Sequence, residues 1–149
     1  MSRPSILIVA GSFTRPQFYD QVVHAVKAKG YEIRALHSPS VGLEPGPREE
    51  EPPTMYDDAT FIAKETKSLA DEGKNVILVA HSYGGVPATE STKGLGKDER
   101  AAQGKKGGIV RLAYMTAMVP AVGMSGALND IPEENRVALK IDVGLALPL

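Results

Sequence analysis

The run Asn75-Val76-Ile77-Leu78-Val79-Ala80 leads directly into His81-Ser82-Tyr83-Gly84-Gly85 and then into helix-forming residues. This junction constrains the fold more than any other stretch. Successive β-formers without polar alternation describe a strand covered on both faces, the environment of a parallel sheet flanked by helices. A serine on a sharp strand-to-helix turn is held in strained backbone geometry with its hydroxyl above the sheet edge, which is the layout of a nucleophile elbow. Small residues two before and two after the serine relieve crowding where strand and helix pass. Ala80 and Gly84 occupy those places. The helix that begins there aims its first N–H groups at the reacting centre and favours developing negative charge.

The rest of the chain repeats the alternation. Ile6 to Ala10 is a second apolar run, closed by Gly11. Thr14 reads as the cap of a helix with Pro16 in its first turn and Gly30 at its end. Phe18, Val22 and Val26 make its inward stripe, with Tyr19 and Val23 beside them. Tyr31 to Leu36 is a short strand. Ser38 to Pro53 interrupts the rhythm with five prolines (Pro39, Pro45, Pro47, Pro52, Pro53) and four glutamates (Glu44, Glu49, Glu50, Glu51). It reads first as a solvated loop, and second as a wall of the active-site mouth, because loops after strands lie on the ligand side of such sheets.

Thr54 caps a helix running to about Glu72 and stopped by Gly73. Ala59, Ile62, Ala63, Thr66, Leu69 and Ala70 face inward, and Asp57 and Asp58 occupy the first turn, where the helix dipole favours anions. The helix after Ser82 extends to about Lys93. Gly94 to Gly108 sets Lys97, Arg100, Lys105 and Lys106 against Asp98 and Glu99. It reads as a solvated connection, with an anion site as the alternative. Ile109 to Thr116 is a fourth strand, and Pro120 marks its exit. Asp130 to Glu134 suggests a short capped helix, and Ile141 to Leu149 is apolar without a clear period. The predicted architecture is a doubly wound, three-layer α/β/α fold with a mostly parallel sheet and right-handed crossovers.

Length fits one domain, residues 1–149, at 15.8 kDa. Seventeen basic residues against eighteen acidic leave a net charge of −1, which gives no electrostatic case for nucleic acid or an anionic membrane. The absence of cysteine excludes disulfides, thiolate catalysis and iron–sulfur clusters, and three scattered histidines are a poor metal inventory. No metal or cofactor is therefore expected. No run approaches a membrane span or a signal-peptide core, so a cytoplasmic address is the default expectation.

An oxyanion hole at Ser82 needs two backbone donors. One is the N–H of Tyr83, the residue after the nucleophile. The other comes from the loop Ala10-Gly11-Ser12-Phe13, where Gly11 permits a tight turn and Ser12 presents its N–H. The same glycine also fits a plain β–α turn.

Several stretches together resemble the α/β-hydrolase superfamily, and within it the fungal AB-hydrolase-1-type proteins of the esterase and hydroxynitrile-lyase-like branch. They are Ile6-Leu7-Ile8-Val9-Ala10-Gly11-Ser12, Lys29-Gly30-Tyr31, Leu36-His37-Ser38-Pro39-Ser40-Val41-Gly42, Val79-Ala80-His81-Ser82-Tyr83-Gly84-Gly85 and the stretch from Lys93 to Gly108. The resemblance runs from about residue 4 to residue 128. Its motifs are specific for the superfamily and uninformative about the substrate. It implies that Ser82 is the nucleophile, that Tyr83 and Ser12 form the oxyanion hole, and that the strands correspond to the family's third through sixth. It also implies a truncated, N-terminal part of the fold, because family members continue with a cap and further strands.

The family orders its triad Ser…Asp/Glu…His along the chain. Here His24, His37 and His81 all precede Ser82. His24 falls within a helix and reads as a surface residue, and His81 should point into the packing beneath the elbow. His37 follows a strand at the correct end of the sheet and is the candidate base. Asp130, Glu133, Glu134 and Asp142 follow Ser82, but nothing distinguishes them from solvated carboxylates.

Three functions follow in order. The first is a serine hydrolase acting on a carboxylic ester or related small-molecule acyl substrate, with Ser82 carrying the acyl group. The second is a catalytically silent relative that binds a small molecule or a protein, in which an exposed apolar sheet edge favours a homo-oligomer. The third is a flavodoxin-like reductase, motivated by Gly11-Ser12 and Arg15 as a phosphate cradle. It lacks any G-x-G-x-x-G or Walker sequence.

Overall fold

The computed structural model describes residues 3–42 and 51–120. Four strands, β1 (Ser5–Val9), β2 (Ile33–Leu36), β3 (Asn75–His81) and β4 (Gly108–Met115), form one all-parallel sheet in the order β2-β1-β3-β4. Successive side chains of β1 leave on opposite faces. Leu7 and Val9 join Leu36, Ile62, Leu69, Leu78 and Ala88 on one face, while Ile8 and Ala10 join Tyr19, Val23 and Ile33 on the other. Helix α1 (Asp20–Ala28) thus covers one side, and α2 (Met55–Asp71) with α3 (Gly85–Glu90) covers the other. This is the three-layer arrangement that the sequence implies. Each fully buried aliphatic side chain of these clusters contributes about 1.5–3 kcal/mol of apolar burial.

The register positions the site. Val9 lies opposite Ala80, so the loop after β1 begins level with His81 and Ser82. The chain leaves β1 toward the α1 face and β3 toward the α3 face, and the crevice at such a switch point, outside the C-terminal ends of the strands, is where ligands bind in open α/β sheets.

Helix α2 begins as the sequence requires. The Thr54 backbone N–H and hydroxyl both donate to Asp57 Oδ2 at 2.7 Å, which closes the first turn, and Gly73 (φ +82°) ends the helix. Those bonds hold the Asp57 carboxyl below the usual carboxylate range, the Thr54 backbone N–H contributing most.

Other local expectations need correction. Thr14 does not cap the first helix; a 3-10 turn over Pro16–Tyr19 precedes α1, with Arg15 at its start. Phe18 and Val22 are exposed at 79% and 52%, and the inward stripe is Tyr19, Val23 and Val26. The spacing of four then three tracks the 3.6-residue turn, whereas repeated steps of four drift off the face. The second strand begins at Ile33 rather than Tyr31, and α3 stops at Glu90 rather than Lys93.

The segment read as a solvated connection contains a further helix, α4 (Lys97–Ala102), whose Arg100 is buried. Its guanidinium donates to Asp71 Oδ1 at 2.8 Å and to the carbonyls of Lys106 and Gly107 at 3.2 Å, so it ties α4 to α2. The suggested helix at Asp130–Glu134, the apolar tail Ile141–Leu149, and the core of the proline-rich loop lie outside the described residues. So do Glu44, Glu49 and Glu50.

Candidate active site

At the end of β3 the backbone turns abruptly. Ser82 has φ +52°, a left-handed conformation that costs a non-glycine residue about 1–2 kcal/mol, and it opens a 3-10 turn (Ser82–Gly84) that leads into α3. The strain persists because the surroundings fix it from several sides. The Ser82 carbonyl accepts the Met118 N–H at 3.0 Å, which joins the bend to the exit of β4. A β-carbon on Gly84 would lie 2.5 Å from the Ala10 carbonyl oxygen and 2.7 Å from that of Val9. One on Gly85 would lie 2.0 Å from the Met118 carbonyl oxygen. The two glycines let the bend sit directly against β1 on one side and the β4 exit on the other.

The loop after β1 meets the same bend. A β-carbon on Gly11 would fall 3.2 Å from Ser82 Cβ. The loop turns through Ser12 and Phe13, closed by the Thr14 N–H on the Gly11 carbonyl at 3.2 Å, with Phe13 at φ +57°. Ser12 is exposed, and among the described residues its backbone N–H has no acceptor. Tyr83 stands in the first turn after the bend, where N–H groups lack an intrahelical acceptor. The structure therefore brings Ser82, Tyr83 and the Gly11–Ser12 loop together.

The histidines are placed as follows. His24 is exposed on α1. His81 turns beneath the bend, where Tyr19 Oη sits 2.8 Å from its Nδ1 and accepts the Gly11 N–H at 3.3 Å. His37 follows β2, and its Nε2 donates to the Val41 carbonyl at 3.0 Å. Among the described residues no hydrogen bond joins any histidine to Ser82. The whole of β1 separates β2 from β3, which sets the two backbones about 10 Å apart.

Sequence reasoning missed two parts of the site. Asp58, assigned there to the helix dipole, is fully buried and accepts hydrogen bonds from Ser40 and Tyr83. Its signal was its place on the inward stripe with Ile62 and Thr66, where a carboxylate has no solvent to face. Tyr19, assigned to packing, also carries the hydroxyl that links His81 to Gly11. Burial, followed by the bond to Asp58, raises the Tyr83 phenol to about 12.

The Gly11-Ser12 turn runs into a 3-10 turn and not directly into an α-helix, so the helix N-terminus required of a phosphate cradle is not formed there. Among the described residues no group of three or more His, Asp or Glu side chains could hold a metal, and no helix is long and apolar enough to cross a membrane. A cavity of about 690 Å³, lined by Pro39, Pro52, Pro53, Thr60, Phe61 and Lys64 among others, does not include Ser82.

A model of the alpha/beta hydrolase family matches residues 6–147. The alpha/beta hydrolase nvfD of Aspergillus novofumigatus is 35% identical over 125 residues, covering 84% of this chain and 47% of that protein. A protein of Phoma sp. named "Probable hydrolase R7" is 32% identical over 126 residues, with the same two coverages. The chain thus spans about half the length of the curated relatives it matches. Among solved structures, a mutant of polyneuridine aldehyde esterase superposes with a TM-score of 0.68 at 19% identity, over 92% of this chain and 49% of that one. An extracellular alpha/beta-hydrolase from a Paenibacillus species gives 0.64 at 17% identity, over 89% and 48%.

Proposed function

Since this chain belongs to the alpha/beta hydrolase family, we propose that it carries the nucleophile of a serine hydrolase acting on a carboxylic ester or related acyl group. The observation that carries the reading is the left-handed backbone of Ser82 at a bend held between β1 and the β4 exit. The names of the two fungal relatives support hydrolysis as the reaction class.

In this reading Ser82 Oγ attacks the acyl carbonyl carbon while its proton passes to a general base. The carbonyl oxygen takes up the negative charge and is held by the N–H groups of Tyr83 and Ser12. Collapse expels the alcohol, which takes the proton, and leaves the acyl group on Ser82. Water then attacks the acyl carbon, and the acid leaves with the serine restored. The candidate base in this sequence is His37. A hydrogen on Nε2, directed at the Val41 carbonyl, leaves Nδ1 with the lone pair a base requires.

Hydrolysis of short p-nitrophenyl esters tests the proposal. Ser82→Ala abolishes turnover if the reading holds; equal turnover in the variant overturns it. His37→Gln removes turnover only if His37 is the base. A second reading, ligand binding without turnover, is favoured by the histidines, since none bonds Ser82 among the described residues. It requires that the wild-type chain bind the ester but not cleave it.

A further inference from the structure

We propose that Asp58 is a positioning residue, fixing the backbone of Ser82 and Tyr83 by anchoring the Tyr83 side chain; this rests on the serine-hydrolase reading for its catalytic meaning, but not for its geometry. Asp58 stands in the first turn of α2 and is 0% exposed. Its Oδ1 accepts the Ser40 N–H at 2.8 Å, and its Oδ2 accepts the Ser40 hydroxyl at 2.6 Å and the Tyr83 hydroxyl at 3.0 Å. Among the described residues no cation pairs with it.

A buried carboxylate is costly, and an apolar side chain on the same stripe as Ile62 would pack there more cheaply. The carboxylate therefore has to be accounted for by what it holds. It holds two loops at once. Ser40 belongs to the loop leaving β2, and Tyr83 is the first residue after the Ser82 bend. The phenol acts as a strut from α2 to the backbone whose N–H is the proposed oxyanion donor.

The remaining restraints on the bend come from the other directions. Met118 holds the Ser82 carbonyl from the β4 exit, and Gly84 meets β1. Among these contacts, the Asp58–Tyr83 bond alone ties the bend to α2. A strained φ at Ser82 persists only while such contacts over-determine it. Losing the strut lets the bend relax, and the Tyr83 amide then leaves its direction without losing its hydrogen.

Amide hydrogen exchange by mass spectrometry on wild type, Asp58→Asn, Tyr83→Phe and the double variant tests the inference. Tyr83→Phe keeps the amide and leaves the buried carboxylate its two Ser40 bonds, so it serves if Asp58→Asn fails to fold. Exchange in the peptide spanning residues 79–85 should accelerate about tenfold in each single variant, the scale of one lost charge-assisted hydrogen bond. The peptides of β1 and α1 should be unchanged, and the double variant should be no faster than the singles. Labelling of Ser82 by a fluorophosphonate probe should slow about tenfold in parallel, a fraction of the ~10²–10³-fold cost of removing an oxyanion donor outright. Unchanged exchange at residues 79–85, uniform acceleration across the chain, or additive effects in the double variant would overturn the proposal. If wild type resists the probe altogether, the serine-hydrolase reading falls while the exchange data still decide the role of Asp58.

Discussion

Gly84→Ala sets two physical effects against each other, and the structure says which wins. Gly84 has φ −54° and ψ −17°, right-handed values that alanine adopts without strain. On backbone entropy alone, alanine should stabilise the chain by about 0.5–1 kcal/mol. The added β-carbon, however, would sit 2.5 Å from the Ala10 carbonyl oxygen, 2.7 Å from that of Val9 and 3.0 Å from Val9 Cγ1. Carbon contacts are comfortable near 3.5–4.0 Å, so β1 must withdraw by roughly half an ångström or more. β1 is hydrogen-bonded to β2 and β3 on both sides and cannot withdraw alone.

Overpacking against backbone belongs at the upper end of the usual range, about 3 kcal/mol, which leaves a net loss of about 2 kcal/mol or more. For a chain of this size, the melting midpoint should fall by about 5–10 °C. Urea unfolding followed by circular dichroism measures the difference. Gly94→Ala is the control: Gly94 has φ +72° with nothing within 4 Å of an added β-carbon, so only a backbone cost of about 1–2 kcal/mol applies. A Gly84→Ala protein as stable as wild type, or more stable, would refute the close packing of the bend on β1.

Two further predictions concern titration. In a tyrosinate absorbance titration, one of the five tyrosines should ionise late, near pH 12; the late step should vanish in Tyr83→Phe and move earlier in Asp58→Asn. The carboxyls of Asp57, Asp71 and Glu32 are held below their ordinary values chiefly by Thr54, by Lys67 then Arg100, and by Ser5 then Lys74 respectively. Depressed folded-state values mean that their stabilisation is present above the unfolded values of 3.8 and 4.5 and is lost as pH falls through the folded ones. The urea midpoint should therefore drop as pH falls below about 5, and drop less in a Ser5→Ala, Lys67→Ala double variant, which removes the leading side-chain partner of Glu32 and of Asp71.

The parts of the fold legible in the sequence are those set by local chemistry. The apolar runs Ile6–Ala10 and Val76–Ala80, the Thr54 start and Gly73 stop of α2, and the small residues around Ser82 each specify their structure within a few positions. What escaped depends on tertiary context. The split of the first helix into a 3-10 turn and α1 rotates Tyr19 and Val23 inward in place of Phe18 and Val22, and single-segment periodicity does not show which neighbouring face the sheet presents. From spacing alone Arg100 reads as part of a solvated connection and Asp58 as an anion at the helix dipole, because charged residues are rarely fully buried unless paired. Their partners, Asp71 with the carbonyls of Lys106 and Gly107, and Ser40 with Tyr83, come from other elements. For Ser82, sequence alone identified the bend, while the restraints from Met118 and β1 emerged from the packing.

Incubating the purified chain with a fluorophosphonate and mapping any adduct by peptide mass spectrometry tests the reactive-serine claim most directly. One adduct is expected, on Ser82, absent from Ser82→Ala. No adduct under conditions that label a control esterase, or an adduct on another serine, would show that Ser82 is not the reactive group.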